Sequence, residues 1–337
     1  MMKKMLSTLQ GVTLDVPALW LMRQAGRYLP EYRATRQRAG GFLDLCFTPE
    51  LAADVTLQPI RRFDFDAAIV FADILLLPHA LGRNLRFSAG EGPQLDPMRN
   101  SGTIAGKTLG AALDPVYAAL RLVKKELSAD KTLIGFCGAP FTVACYMVSG
   151  GGSKDFSAAM AYARDQRADF IAILTMLADY SVDYLCQQVM AGADVLQIFE
   201  SWAGLVAAED WEDFVLAPTR RIVAGVKKQY PDTPIIGFPR GAGEKLRGFA
   251  AKSGVQAVGI DQTVPLDFAA QIQQETIVQG NLAPEVLVAG GKGQSDAVKA
   301  IKQVFAGKPY IFNLGHGILP ETPLEHVAAL VQQVRQV

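Results

Sequence analysis

Ala67-Ala68-Ile69-Val70-Phe71-Ala72-Asp73 is the stretch that decides how this chain is read. Six residues without a polar side chain end at a carboxylic acid. So short a run, unalternated and rich in β-branched and aromatic members, predicts a parallel strand buried on both faces. The pattern recurs seven times. Ala18–Met22 ends at Arg23, Leu133–Cys137 runs into Gly138-Ala139-Pro140, and Val195–Phe199 ends at Glu200-Ser201. Pro234–Phe238 ends at Pro239-Arg240, and Ala257–Ile260 at Asp261. Ile277–Gln279 ends at Gly280-Asn281, and Tyr310–Phe312 at Asn313-Leu314-Gly315-His316.

Helical segments separate these runs, most clearly Asp169–Met190 and Pro323–Val334. Eight strands alternating with helices predict an α/β fold, a single-domain (β/α)8 TIM barrel with its active site at the C-terminal ends of the strands. No linker, charge run or low-complexity segment divides residues 1–337, so one domain is expected, with roughly the first 16 residues as a leader to strand one. Residues Phe87–Lys107 are rich in Gly and Pro and have no clear period, so they read as an excursion after the second strand.

Bulk composition excludes several classes. Lys+Arg and Asp+Glu both number 33, so no global positive field exists to hold nucleic acid or an anionic membrane. An acidic ligand therefore needs a local cluster of arginines. Cys46, Cys137, Cys145 and Cys186 are scattered without a C-x-x-C pair, which predicts reduced cytosolic thiols and no zinc site. No apolar stretch approaches a membrane span, and Asp15 interrupts any signal core. The expectation is a soluble, cytoplasmic protein.

Chemistry in such a barrel belongs at the strand ends, here Arg23, Asp73, Glu200, Ser201, Arg240, Asp261, Asn281 and His316. None is the lysine a Schiff-base enzyme needs. Asp73, Glu200 and Asp261 on alternate strands leave Mg²⁺ binding open as a second reading. The densest signal is Met22-Arg23-Gln24-Ala25-Gly26-Arg27-Tyr28-Leu29-Pro30, followed by Arg33, Arg36 and Arg38. Arg23 and Arg27, beside the strand, suit bidentate binding of carboxylates, whereas the later three read as a solvated face. Asp73 among apolar neighbours is costly unless it caps the next helix or a ligand brings the donors. Gly150-Gly151-Gly152 suggests a tight turn or a mobile lid. His316, between glycines, is the histidine best placed to meet a ligand, while His79 and His326 read as fillers.

At these residues the chain resembles the uroporphyrinogen decarboxylase family almost end to end. Trp20-Leu21-Met22-Arg23 through Pro30 is similar to the family's opening signature, although Pro17 stands three residues before the tryptophan where members usually have two. Gly135–Thr142 resembles a second signature. Phe71–Leu75, Tyr146–Ser153, Phe199–Gly204 and Asn313–Gly317 also resemble family segments, with Trp202 where some members carry histidine. The resemblance implies decarboxylation of the four acetates of a porphyrinogen to methyls, by a homodimer using no metal or organic cofactor. It implies Asp73, Arg23, Tyr146 and His316 as catalytic residues and Gln24, Arg27, Phe199 and Ser201 as further substrate-binding residues.

Overall fold

A computed structural model describes residues 2–88 and 92–336. Met1, Val337 and, within the Gly/Pro-rich excursion, residues 89–91 lie outside the described residues. All eight expected strands are present: β1 (Ala18–Leu19), β2 (Ala67–Ile69), β3 (Thr132–Gly138), β4 (Val195–Glu200), β5 (Ile235–Pro239), β6 (Ala257–Gly259), β7 (Ile277–Leu282) and β8 (Tyr310–Leu314). They form one sheet in the order β1-β8-β7-β6-β5-β4-β3-β2, and every neighbouring pair is parallel. Helices intervene, among them Arg167–Met190 and Leu324–Arg335 close to their expected bounds. This is the (β/α)8 barrel.

The barrel interior is packed. Trp20, Met22, Ile134, Val195, Ile236, Phe238 and Ile311 interdigitate there, and Met5 and Leu9 reach them from below. Those two sit on a helix, Lys4–Leu9, within the segment read from sequence as a leader. Three polar side chains share this core in a chain of bonds. The Trp20 indole N–H donates to Gln279 Oε1 at 2.9 Å, and Gln279 Nε2 donates to Gln197 Oε1 at 3.2 Å. These bonds offset part of the cost of burying the amides.

The ladder does not run between β1 and β2, and side chains close that seam. Asp66 N–H donates to the Leu19 carbonyl at 2.9 Å, while Asp66 Oδ2 accepts from Leu19 N–H at 2.9 Å. Gln24 then spans the gap, its Oε1 accepting from Leu21 N–H (3.1 Å) and its Nε2 donating to the Ala67 carbonyl (3.0 Å). Gln24 is fully buried. It stands in for the backbone where a ladder is missing.

The excursion after β2 contains a small antiparallel hairpin, Arg86–Ser88 with Gly92–Gln94. The glycine loop docks on the segment that follows it. Leu95 N–H donates to the Gly150 carbonyl at 2.9 Å, and Met98 N–H to the Met147 carbonyl at 2.7 Å. Gly150 ends helix Pro140–Ser149 in the left-handed region at φ 76°. A Cβ there would lie 2.7 Å from Pro97 Cγ, so the glycine makes this tight turn possible.

The seam makes a stability prediction. Gln24→Leu leaves the Leu21 N–H and Ala67 carbonyl buried without partners, which costs about 3 kcal/mol. Urea unfolding of the variant should show that loss. A change below about 0.5 kcal/mol, the range of a surface substitution, would mean the seam does not need Gln24.

Candidate active site

Arg23 follows β1 in a backbone conformation that is over-determined. Met22 N–H donates to Asn313 Oδ1 at 2.9 Å, and Ile318 N–H donates to the Met22 carbonyl at 2.9 Å. The loop after β8 thus grips the residue before Arg23. Arg23 itself adopts φ 62°, a left-handed value that non-glycine residues take at a cost of roughly 1 kcal/mol. Its side chain passes over Gly317, where a Cβ would stand 2.7 Å from Arg23 Cγ and 2.9 Å from Nε. The glycine beside His316 makes room for the arginine.

Asp73 lies at the rim just beyond β2, half-buried, with Oδ1 accepting from Leu75 N–H at 2.8 Å. That bond turns the chain into the short helix Leu76–Ala80, so the capping role weighed from sequence exists. It occupies one oxygen. Among the described residues no hydrogen bond reaches the other, and no cation pairs with it at contact distance. Burial pushes the Asp73 carboxyl above the ordinary aspartate range, opposed by the Leu75 N–H and by the charge of Arg23.

Tyr146 projects from helix Pro140–Ser149. Burial raises its phenol, while a hydrogen bond with Trp202 and the nearby Arg23 charge pull it down, and Asp73 adds to the rise. Phe156 stacks edge-on against both Tyr146 (5.1 Å) and Trp202 (4.8 Å). Trp202 therefore supports the tyrosine through Phe156. His316 is half-buried and pushed down to about 3, by burial first and then by Arg23 and Arg240, with Asp261 opposing. It is a neutral imidazole at any working pH. Arg23 thus acts electrostatically on Asp73, Tyr146 and His316 alike, which gathers these four side chains around one mouth.

The remaining expectations divide. Phe199 is partly exposed on β4 and stands edge-on to Phe136 (5.5 Å) and Phe238 (6.0 Å), forming an aromatic floor. Ser201 lines a cavity of about 190 Å³ with Trp202, Arg240 and Asp261. Arg27 is exposed. Gln24 is placed differently from the ligand-binding position the resemblance implied, because both ends of its amide are spent on backbone groups of the seam. It holds the base of Arg23 instead. Arg33 bonds the Arg27 carbonyl at 2.7 Å, Arg36 lies 5.5 Å over the Phe42 ring, and Arg38 reaches Thr35 at 3.2 Å. These three brace the surface.

Glu200 has a role that sequence reasoning did not see. Its Oε1 accepts from Thr142 N–H at 2.8 Å and from the Thr142 hydroxyl. Thr142 Oγ1 in turn accepts from Trp202 N–H at 3.1 Å. Burial pushes the Glu200 carboxyl up to about 8, opposed by the Thr142 bonds, and the side chain clamps the first turn of the helix that carries Tyr146. Asp261 is likewise engaged, by Gly241 N–H (2.6 Å) and Thr263 N–H (2.9 Å). Among the described residues no three His, Cys, Asp or Glu side chains converge as metal ligands, so Asp73, Glu200 and Asp261 do not form the Mg²⁺ set left open by their spacing.

With this geometry in place, similarity to known proteins decides the lineage. The sequence profile described as Uroporphyrinogen decarboxylase (URO-D) matches residues 1–337. The chain belongs to the uroporphyrinogen decarboxylase family. A uroporphyrinogen decarboxylase of Mesorhizobium japonicum is 52% identical over 333 residues, covering 98% of this chain and 97% of that one. One from Sphingopyxis alaskensis is 52% identical over 337 residues, covering 99% and 98%. Among solved structures, a methyltransferase from Methanosarcina mazei superposes with a TM-score of 0.81 at 19% identity, covering 98% of this chain and 97% of that one. That likeness is one of fold. The family's opening signature, Trp20 to Pro30, here supplies a core tryptophan, the seam glutamine and the central arginine in consecutive turns.

The packing of Arg23 on Gly317 is testable. The three atoms nearest to a methyl at Gly317→Ala belong to the flexible Arg23 stem, so the fold should persist while the guanidinium is displaced. We expect a melting temperature within a few degrees of the parent and kcat/KM lowered at least about tenfold, the loss of one charge-assisted contact. Unchanged kcat/KM would show that Arg23 needs no such seat.

Proposed function

We propose that this chain decarboxylates the four acetate side chains of uroporphyrinogen III to methyl groups, giving coproporphyrinogen III and four CO₂ in tetrapyrrole biosynthesis. The observation that carries the reading is Asp73, a rim carboxylate with one oxygen held by Leu75 N–H and the other unpartnered, beside Arg23 in the mouth of a barrel of this family. A porphyrinogen presents a ring of pyrrole N–H donors, and a single acceptor-only group at the rim suits them.

The chemistry follows from what these side chains supply. Losing CO₂ from an acetate leaves an electron pair that needs a sink. Protonating the adjacent pyrrole at a ring α-carbon makes an iminium-like ring. The C–C bond then breaks, CO₂ departs, and the bonding pair enters the ring. A second proton on the exocyclic methylene makes the methyl, and the α-carbon loses its proton. The net exchange is one H⁺ for one CO₂ at each acetate, with no change of oxidation state supplied from outside. We therefore expect neither metal nor organic cofactor.

Asp73 stabilises the positive charge that develops on the protonated ring, a contribution made chiefly on the way to the transition state. Arg23 and Arg27 position substrate carboxylates, each charge-assisted bond contributing ~1.5–3 kcal/mol. Tyr146, Ser201 and neutral His316 hydrogen-bond the remaining side chains, and Phe199 supports the macrocycle from below. Burial holds the His316 imidazole down and moves the Tyr146 phenol up, so both shifts run away from the range that suits proton donation near neutral pH. Arginine does not serve either. Solvent or a substrate carboxyl is then the proton source.

We place the protein in the cytosol, as the family resemblance implies, acting as a homodimer. The four cysteines support a reducing compartment, since all are free and buried. Among the described residues no helix is long and apolar enough to cross a membrane.

The direct test is anaerobic turnover of uroporphyrinogen III with and without exhaustive EDTA treatment. Four CO₂ per substrate and undiminished rate in EDTA are expected. Absence of CO₂ release would leave a carrier that only binds the macrocycle, and loss of rate restored by Mg²⁺ or Zn²⁺ would overturn the cofactor-free mechanism.

A further inference from the structure

We propose that Arg240 is a further substrate-binding residue, which holds a propionate of the macrocycle on the side of the barrel mouth remote from Arg23. The inference rests on the porphyrinogen reading above and adds a residue to it.

The topology sets the position. Arg240 follows β5 and Arg23 follows β1, four strands apart in a ring of eight, so the two stand on opposite sides of the rim. From β3 round to β8, the residues at or just past the strand ends are Ala139, Ser201, Arg240, Asp261, Asn281 and His316. Arg240 is the single cation among these. Its backbone is fixed on three sides. Arg240 N–H donates to the carbonyls of Glu200 (3.0 Å) and Phe238 (3.2 Å), and the Arg240 carbonyl accepts from Gly204 N–H at 3.0 Å. Gly241, at φ 74°, then turns the chain away, with Gly204 packed against it. The backbone that carries the guanidinium is thus fixed in advance of any ligand.

The charge of Arg240 is left unanswered. The residue is half-buried and lines the 190 Å³ cavity with Ser201, Trp202 and Asp261. Among the described residues its guanidinium makes no hydrogen bond and no ion pair. Asp261 is the obvious partner, yet its two oxygens accept from Gly241 N–H, Thr263 N–H and the Thr263 hydroxyl. His316 cannot answer it either, since Arg240 itself helps to keep that ring neutral. A half-buried guanidinium lining a cavity, with its neighbouring carboxylate held by Gly241 and Thr263 and not bonded to it, is suited to receive an anion that a ligand brings.

The ligand's chemistry selects which anion. Each pyrrole of the proposed substrate carries one acetate and one propionate. An acetate is consumed as the reaction proceeds, whereas the propionates persist through all four rounds. A contact remote from Asp73, needed in every round, is best made with a group that survives.

The experiment uses the full-length protein and two stable probes, uroporphyrin III with eight carboxylates and coproporphyrin III with four propionates. Binding is followed by fluorescence, and steady-state turnover of uroporphyrinogen III is measured alongside. Arg240→Met should weaken both probes by a similar factor of roughly ten or more, as expected for one charge-assisted bond. KM should rise correspondingly and kcat at saturation should stay within about threefold, the pattern of lost uniform binding. Arg240→Lys should recover most of the affinity. Arg240→Gln provides the same readout should the methionine variant fail to fold. Unchanged probe affinity and KM in a folded variant would overturn the proposal, and so would a loss confined to uroporphyrin, which would assign the contact to an acetate. Failure of the parent protein to turn over uroporphyrinogen or bind either probe would instead sink the porphyrinogen reading and Arg240's role with it.

Discussion

The site depends on one unfavourable placement, the carboxylate of Asp73 among Phe71, Ala72, Ile74 and Leu75. Water solvates such a group better than this surrounding does, and the Leu75 N–H and the Arg23 charge answer only part of the loss. An acid whose folded pKa lies above its unfolded value binds its proton more tightly in the native state. Its deprotonation therefore destabilises the fold as pH rises through that range. The protein carries this cost at the point where the proposed substrate brings four N–H donors and, during reaction, a positive charge. On the proposed reading, stability given up at Asp73 becomes stabilisation of the reacting ring.

Such a group works only if its surroundings do not shift to relieve it, and the β1–β2 seam provides that rigidity. Asp66 and Gln24 replace the missing ladder, Asn313 and Ile318 fix Met22, and Gly317 seats the arginine. On the other flank, Glu200 ties β4 to the helix of Tyr146 through Thr142. The cations at the mouth are thereby held by neutral backbone contacts, which leaves their charge for carboxylates of a ligand.

The strands were legible because each is an unalternated apolar run ending in a polar residue, and parallel strands buried on both faces leave that trace. Helix Arg167–Met190 was legible from its period. The three-residue strands of the hairpin after β2 were not, since three positions are too few to show alternation and Gly92 and Pro93 disguise one of them. The six-residue helix of Met5 and Leu9 was hidden for the same reason. Within the site, polar and titratable residues at strand ends were readable from position alone, Asp73, Arg23 and His316 among them. Gln24 was not, because an amide facing a backbone gap looks the same in sequence as one facing a ligand. Glu200 and Asp261 left a Mg²⁺ site open as a second reading, because their spacing does not show that Thr142 and Thr263 fold back on them. Arg240 stood among the strand-end residues from the start, but only the commitment of Asp261 elsewhere reveals it as unpaired.

On the proposed reading, the charge of Asp73, and not its shape, serves the reaction at the expense of stability. Asp73→Asn tests both halves on one preparation, by thermal melting and by anaerobic turnover of uroporphyrinogen III. Asparagine keeps the Oδ1 acceptor for Leu75 N–H and removes the ill-solvated charge, so the melting temperature should hold or rise. Turnover should fall at least about 10²-fold, as when a main electrostatic stabiliser is lost. A folded Asp73→Asn protein with near-parental turnover would contradict the account and return Asp73 to the role of a helix cap.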